Sequence, residues 1–291
     1  DQLLTGEDPA TGKYFALSMY SQLPTTLARP SRGHGIFALD ISARSPYDTN
    51  FQQQVELLQQ LLTANEDVLK HFAVLTFDVG THWLQPRFME NNKQVRSDLA
   101  KQLYKLNLAG ATDLHRALRE TAQPSWFTAT ASNLKWDVFL LTGGKATWGE
   151  TRPRALLDAL DSKHVAGVYA YAPFSNNADM DVLDLLTHAH HGAVFHTEFS
   201  PYDTAGRDPV LKAHRMLSWR IVGMEAAGAA DVISSGNIRY HYNGQRLRFV
   251  GRGMPTGPIT LILEADGKKV RHTVKRPKLQ INSPLVPRMY G

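Results

Sequence analysis

Gly35-Ile36-Phe37-Ala38-Leu39-Asp40-Ile41-Ser42-Ala43-Arg44-Ser45 is the stretch whose reading decides this chain. The apolar run Ile36 to Leu39 predicts a buried strand. Asp40 and Ser42 follow with one residue between them, where the strand should give out. In an open parallel sheet the carboxyl ends of the strands border the crevice where ligands bind. A carboxylate and a hydroxyl at that rim are placed for polar recognition.

Working outward, apolar runs and helical spacings alternate. Phe51, Val55, Leu58, Leu61 and Leu62 recur as on a helix over about Asp48 to Thr63. His71 to Phe77 predicts the next strand, and Thr81 to Leu84 a short edge strand. Val95, Leu99, Leu103 and Leu106 mark a second helical face. Gly110-Ala111-Thr112-Asp113 breaks it and leads into a helix from Leu114 to Thr121. Trp136 to Thr142 predicts a buried strand ended by Gly143-Gly144, and Pro153 sits in the first turn of a helix, where Pro is favoured. A strand over Val165 to Ala172, a helix over Asp179 to His191 and a strand over Ala193 to His196 follow. Strands alternating with helices predict an α/β fold, a mostly parallel sheet covered by helices on both faces.

The flanks read differently. Residues 1–12 are polar and turn-rich, and Tyr14 to Tyr20 predicts a strand. After about residue 207 come short alternating strands at 238–242, 247–250, 259–263 and 270–274. Asn243-Gly244 and Asp266-Gly267 read as hairpin turns. This predicts a small all-β sandwich. Residues 277–291, with Pro277, Pro284 and Pro287, read as an extended arm.

Bulk properties narrow the classes. The chain has 291 residues, 43% hydrophobic and 20% charged, which is ordinary for a globular protein. No run approaches the roughly 18 apolar residues of a membrane span. No secretory leader is read at Asp1-Gln2-Leu3-Leu4, and the chain opens without Met, as a processed chain or a piece of a longer one would. With no cysteine there is neither disulfide nor thiol chemistry. Residues 1–199 carry a charge balance of −4 and residues 200–291 one of +9, so two units with different surfaces are expected. The basic residues of the tail are not interleaved with stacking aromatics, unlike single-strand nucleic-acid binders.

The order of elements from 34 to 197 resembles a von Willebrand factor A (vWA) domain. The likeness rests on Asp40-x-Ser42 after the first strand, Gly110-Ala111-Thr112 before a helix, and Leu140-Leu141-Thr142-Gly143-Gly144 at the end of the fourth strand. The flanks are similar to the β-sandwich of inter-alpha-trypsin inhibitor heavy chains and related bacterial proteins. The resemblance implies a Rossmann-like vWA domain over 34–199, a discontinuous sandwich from 1–33 and 200–276, and an arm at 277–291. It further implies a metal-ion-dependent adhesion site in which two Ser and one Thr hydroxyl ligate a divalent cation such as Mg²⁺, two carboxylates assist, and a partner's acidic group completes the shell.

Asp40, Ser42 and Thr112 stand at three of those positions, and they are the metal candidates. The second Ser of the motif is Arg44 and the second Asp is Gly143, so the ion site is degenerate and no resident cofactor is expected. Asp113 or Ser45 is available as a substitute ligand. Arg44 has two readings: it takes a partner carboxylate bidentately in place of the metal, or it pairs with Asp40 or points into solvent. Trp148 and Tyr171-Ala172-Pro173-Phe174 lie in loops on the crevice side, as interface anchors or as loop packing.

Competing chemistry is thin. His188 and His191 share a helical face while His190 points elsewhere, and histidines in a last turn are favoured by the helix dipole. There is no Gly-x-Ser-x-Gly elbow and no phosphate loop. The expectation is a non-enzymatic protein-interaction or adhesion module, extracellular or in the cell envelope. It would bind a protein partner around Asp40, Ser42, Arg44, Thr112, Asp113 and Gly143. The alternatives are an assembly component that uses the basic sandwich and the C-terminal arm, or a metal-dependent adhesion domain with a repaired site.

Overall fold

The computed structural model describes residues 2–20, 23–24, 28–29, 32–42, 50–108, 110–128, 133–172, 178–196, 210–234, 240–243, 245–265, 267–278 and 280–290. The chain divides into two compact units, Asp1–Ala28 with Met216–Gly291, and Arg29–Arg215. The junctions therefore fall inside the expected flanks rather than at 34 and 199. Within the unit Arg29–Arg215, Arg29 N–H donates to Arg215 O at 2.6 Å; within the other unit, Ala28 and Met216 form a single antiparallel bridge.

The discontinuous unit begins with β1 (Gln2–Asp8) and β2 (Gly12–Tyr20), paired antiparallel from Gln2↔Ser18 to Asp8↔Gly12. The stretch read as a turn-rich lead is thus mostly strand. Its alternation is real: Leu3 joins the sandwich core, while Leu4 packs on the opposite side of the sheet. Only Pro9 to Thr11 turns, held by Asp8 Oδ1, which accepts from Ala10 N, Thr11 N and Thr11 Oγ1 at 2.9 Å.

The unit Arg29–Arg215 runs β3 (His34–Asp40), α1 (Asn50–Ala64), β4 (His71–Phe77), β5 (Thr81–Trp83), β6 (Met89–Glu90), α2 (Lys93–Leu103), α3 (Leu114–Ala122), β7 (Trp136–Leu141), α4 (Pro153–Ala159), β8 (Val165–Ala172), α5 (Met180–Ala189) and β9 (Ala193–His196). The strand order is β5-β4-β3-β7-β8-β9, and β6 adds to β4. β3 pairs parallel with both β4 and β7, β7 with β8, and β8 with β9, while β5 and β6 run antiparallel to β4. The central strands are apolar on both faces because both are covered. Ile36 and Ala38 share a core with Leu114, Leu118, Leu156, Leu183 and Leu186 of α3, α4 and α5. On the other face Phe37 stacks on Phe139 at 4.5 Å and meets Phe72 edge-on. Helix α1 lies against β3 and buries Val55, Leu58, Leu61 and Leu62.

One polar pair is buried inside this unit. Arg29 Nη1 donates to both oxygens of Asp137 at 2.9 Å and to Tyr169 OH at 3.0 Å, and Nη2 donates to Ala166 O at 2.8 Å. Burial pushes the Asp137 carboxyl up from its ordinary range, against the lowering influence of Arg29.

The chain returns to the discontinuous unit through β10 (Trp219–Ala226), β11 (Ala229–Ser234), β12 (Tyr240–His241), β13 (Arg246–Gly253), β14 (Ile259–Ala265), β15 (Lys268–Val274), β16 (Gln280–Asn282) and α6 (Val286–Tyr290). Two sheets, β11-β13-β2-β1-β16 and β12-β10-β14-β15, enclose Phe15, Leu17, Trp219, Phe249, Leu261 and Leu263. Gly267 turns the β14–β15 hairpin at φ +71°, with Ala265 opposite Lys268.

Asn243-Gly244 is not a hairpin turn. β12 pairs with β10 and β13 with β2, so the chain crosses between sheets there. Asn243 Oδ1 instead accepts from Leu23 N at 2.6 Å. Gly244 itself lies outside the described residues. Nor is 277–291 an extended arm: β16 pairs parallel with β1, and Val286 of α6 is fully buried against Tyr14, Ala16 and Val250. Gly6 permits this close cover, because a Cβ there would stand 2.5 Å from Ser283 O.

Candidate functional site

β3 is the point where the strand order reverses, since its two neighbours lead off in opposite directions along the chain. Such a switch point leaves a crevice beyond the carboxyl ends of the strands. Asp40 is the last residue of β3 and only 8% exposed. Its Oδ1 accepts from Ser42 N at 3.0 Å and from Ser42 Oγ at 2.6 Å. Its Oδ2 accepts from Thr142 Oγ1 at 2.8 Å, just past the end of β7. Ser42 Oγ lies 2.7 Å from Thr112 Oγ1. Three residues far apart in sequence, Asp40, Thr112 and Thr142, are thus joined through hydroxyls at one end of the sheet.

A parallel sheet reversing at β3, Asp-x-Ser at the end of that strand, and a Thr meeting the Ser from the loop before α3 decide the fold. The unit Arg29–Arg215 has a vWA-like fold.

No family model and no curated protein matches the chain. Among solved structures, the von Willebrand factor type A protein from Catenulispora acidiphila is 13% identical, with a TM-score of 0.48 over 92% of this chain and 69% of that one. The ArnB paralog VWA2 from Sulfolobus acidocaldarius is 14% identical, with a TM-score of 0.48 over 99% of this chain and 78% of that one. Proximal thread matrix protein 1 from the mussel byssus, solved with a zinc-occupied MIDAS motif, is 18% identical, with a TM-score of 0.43. That match covers 56% of this chain and 43% of the mussel protein.

The remaining site candidates part company. Asp113 sits at the start of α3. Its carboxylate caps α3 by accepting from Arg116 N at 3.0 Å, and its N–H donates to Asp78 O at 2.7 Å. Gly149, at φ +70°, leaves room for that carboxylate, which lies 2.8 Å from where a Cβ would stand. Gly143 contributes backbone alone: its O accepts from Asp179 N at 2.7 Å, and Asp179 caps α5 by accepting from Val182 N at 3.1 Å. Gly144 then turns at φ +72°, where a Cβ would strike Leu183. Arg44, Ser45, Pro173 and Phe174 lie outside the described residues.

Two contributors escaped the sequence reading. Thr142 is fully buried, donates to Asp40 and accepts from Gly144 N at 3.1 Å. Thr147 Oγ1 accepts from Thr112 N at 2.9 Å. The signal for Thr142 was present, since it ends a buried strand just as Asp40 does. Thr112 O accepts from both Thr147 N and Trp148 N, at 3.0 and 3.1 Å. Trp148 is 59% exposed, so the loop after β7 holds a large aromatic in solvent beside the polar cluster.

The donor set can be tested against the ion that such a fold implies. Asp40, Ser42 and Thr112 are all oxygen ligands, as a hard cation requires. One carboxylate and two hydroxyls would supply half of an octahedral shell, the rest falling to water or a partner's acidic group. Asp40 and the two hydroxyls are hydrogen-bonded to one another and to Thr142, and a hydroxyl that gives its proton keeps a lone pair for a cation. Elsewhere, among the described residues, no three His, Asp or Glu side chains gather as a metal site would need. His188 Nδ1 donates to Asp184 O at 2.6 Å, and burial lowers the pKa of His190.

Proposed function

We propose that the chain is a non-enzymatic protein-interaction module whose partner docks on the crest formed by Asp40, Ser42, Thr112, Gly143 and Trp148, with Arg44 two residues along the sequence from Ser42. The observation that carries this reading is Trp148. A Trp with 59% of its surface in water, anchored through its backbone to the residue that closes the polar cluster, has the make-up of an interface hot spot. The hydroxyls of Ser42 and Thr112 are engaged with each other and with Asp40 rather than with an imidazole, which favours recognition over nucleophilic catalysis. The crest operates without a resident ion in this reading, and an adhesive role in an extracellular or envelope setting goes with it. No helix among the described residues is long and apolar enough to cross a membrane.

A photo-crosslinking residue placed at position 148 tests the docking surface, with one at Tyr104, 55% exposed and elsewhere in the unit, as control. In cells of the source organism the expected result is an adduct at 148 that disappears with Ser42→Ala and is absent at 104. Equal adducts at both positions, or none at 148, overturn the reading. Calorimetric titration of Mg²⁺, Mn²⁺ and Ca²⁺ into chelator-treated protein tests the ion-free part. Saturable heat that Thr112→Val abolishes would replace it with metal-dependent adhesion.

A further inference from the structure

The short helix α6 presents apolar side chains in two directions. Val286 is fully buried against Tyr14, Ala16 and Val250, and a Cβ on Gly6 would stand 2.9 Å from Pro287 Cδ. Met289 N–H donates to Leu285 O at 3.2 Å, so Leu285, Arg288 and Met289, at i, i+3 and i+4, share the other face. That face is in water: Leu285 is 58% and Met289 55% exposed, and Arg288 is exposed beside them.

The sheet under α6 continues the same surface. Ile233 pairs in register with Val250 and Ile281 with Leu4, so both stand on the side that α6 covers, and they are 50% and 40% exposed. Arg248 lies two residues along β13 from Val250, on that side as well, and is exposed. Neither Arg248 nor Arg288 has an ion-pair partner among the described residues. The nearby acids are spent: Asp231 stands 3.8 Å from Arg252, and Asp8 accepts from Ala10 and Thr11 in its own turn. From residue 275 to 291 the sequence carries Lys275, Arg276, Lys278 and Arg288 and no Asp or Glu.

Projecting apolar side chains gathered on one side mark a contact surface. Nucleic acid or an anionic sugar would use the cations and leave Leu285 and Met289 in water. An anionic bilayer uses both, since apolar tips enter below the headgroups while cations stay among the phosphates. We propose that the α6 side of the discontinuous unit docks on an anionic lipid bilayer, with Leu285 and Met289 entering it and Arg248 and Arg288 at headgroup level. None of these residues belongs to the crest, and failure here leaves the docking surface there untouched.

The test is flotation of the full chain with vesicles of phosphatidylcholine alone and of phosphatidylcholine mixed with phosphatidylglycerol. Binding is expected to the mixed vesicles only. Leu285→Ser and Met289→Ser should each weaken it by roughly 5- to 20-fold, from the part of each side chain left in water by the fold. Arg288→Gln should weaken it by about 5-fold, the effect of one cation near such a surface. All three side chains are exposed, so melting should not change. The chain has no cysteine, so Met289→Cys takes a single polarity-sensitive fluorophore, with Val222→Cys, 40% exposed in the other sheet, as control. Emission should shift to the blue on mixed vesicles at 289 and stay unchanged at 222.

No binding to the mixed vesicles overturns the proposal. Binding that Leu285→Ser and Met289→Ser leave intact, or equal shifts at 289 and 222, also overturns it, because a net charge of +5 alone would then account for the attraction. Capture of a peptide alternating Gly and Glu at the 289 label, with no vesicle binding, would make this face a contact for an acidic protein instead.

Discussion

Replacing Arg29 by Met should cost the unit Arg29–Arg215 more than any change on its surface. Arg29 and Asp137 have side chains only 10% and 6% exposed, and the guanidinium reaches both carboxylate oxygens. With charges about 4 Å apart and an effective dielectric of about 20, their attraction is about 4 kcal/mol. Removing one partner of such a buried pair costs about 3–5 kcal/mol, because the other charge is left uncompensated. With a urea m-value of about 2 kcal/mol/M, the midpoint should fall by about 2 M. Hydrogen exchange along β7 and β8 assigns the transition to this unit.

The pH dependence gives the sharper test. The Asp137 pKa is raised by burial, with Arg29 opposing. A raised carboxyl contributes stability that is full below its unfolded value of about 3.9 and lost as pH rises through its folded value. Without Arg29 the folded value climbs further. The deficit of Arg29→Met should therefore be greatest near pH 7 and shrink toward pH 4. What remains there is the loss of the bonds to Ala166 and Tyr169, about 1–2 kcal/mol. Arg29→Met combined with Asp137→Leu should recover most of the neutral-pH loss. A deficit that stays constant from pH 8 to 4, or a double variant no better than the single one, would refute this account.

His214 is buried between Phe139 and Tyr169, and its pKa is lowered to about 3, chiefly by burial. A lowered imidazole contributes stability that is full above about 6.5 and lost as pH falls, by up to roughly 1.4 kcal/mol per pH unit. His214→Phe should flatten that acid slope in denaturation curves, and NMR titration should find the imidazole neutral at pH 5. Thr142→Val removes the proton given to buried Asp40 and should lower stability by about 1–3 kcal/mol, read from melting. Gly192→Ala would set a Cβ 1.6 Å from Val168 O and should abolish soluble expression of the fold. Gly267→Ala, with open space around its Cβ and only a positive φ to strain, should cost about 1 kcal/mol in urea titration.

The sheet of Arg29–Arg215 was legible because its strands are buried on both faces and so read as unbroken apolar runs. Ile36 to Leu39 and Val138 to Leu141 could hardly be anything else. The sandwich was harder. Leu3 and Leu4 are adjacent yet serve opposite faces of β1, and Gly6-Glu7-Asp8-Pro9 imitates a turn while Gly6 is making room for the cover of α6. Asn243-Gly244 has the composition of a hairpin but sits where the chain changes sheets, a choice made by tertiary pairing alone. At the site, Asp40, Ser42 and Thr112 were read from residue type and position at strand ends. Asp113, at the start of a helix, also has a local use that residue type and position did not reveal: it caps α3.

The hydrogen bonds at the carboxyl end of β3 can be followed outward from a buried carboxylate. Asp40 accepts from the hydroxyls of Ser42 and Thr142. That commitment fixes Thr112 through Ser42, and Thr112 in turn fixes the backbone of Thr147 and Trp148. Buried polar atoms at the centre thereby hold an exposed aromatic at the rim, with no side-chain contact to it needed. Thr112→Val should accordingly reach Trp148 only through the backbone: faster exchange of the Trp148 amide and little change in global melting. Unaltered exchange at Trp148, with global stability lost instead, would mean that the cluster supports packing alone and that the loop holds its shape without it.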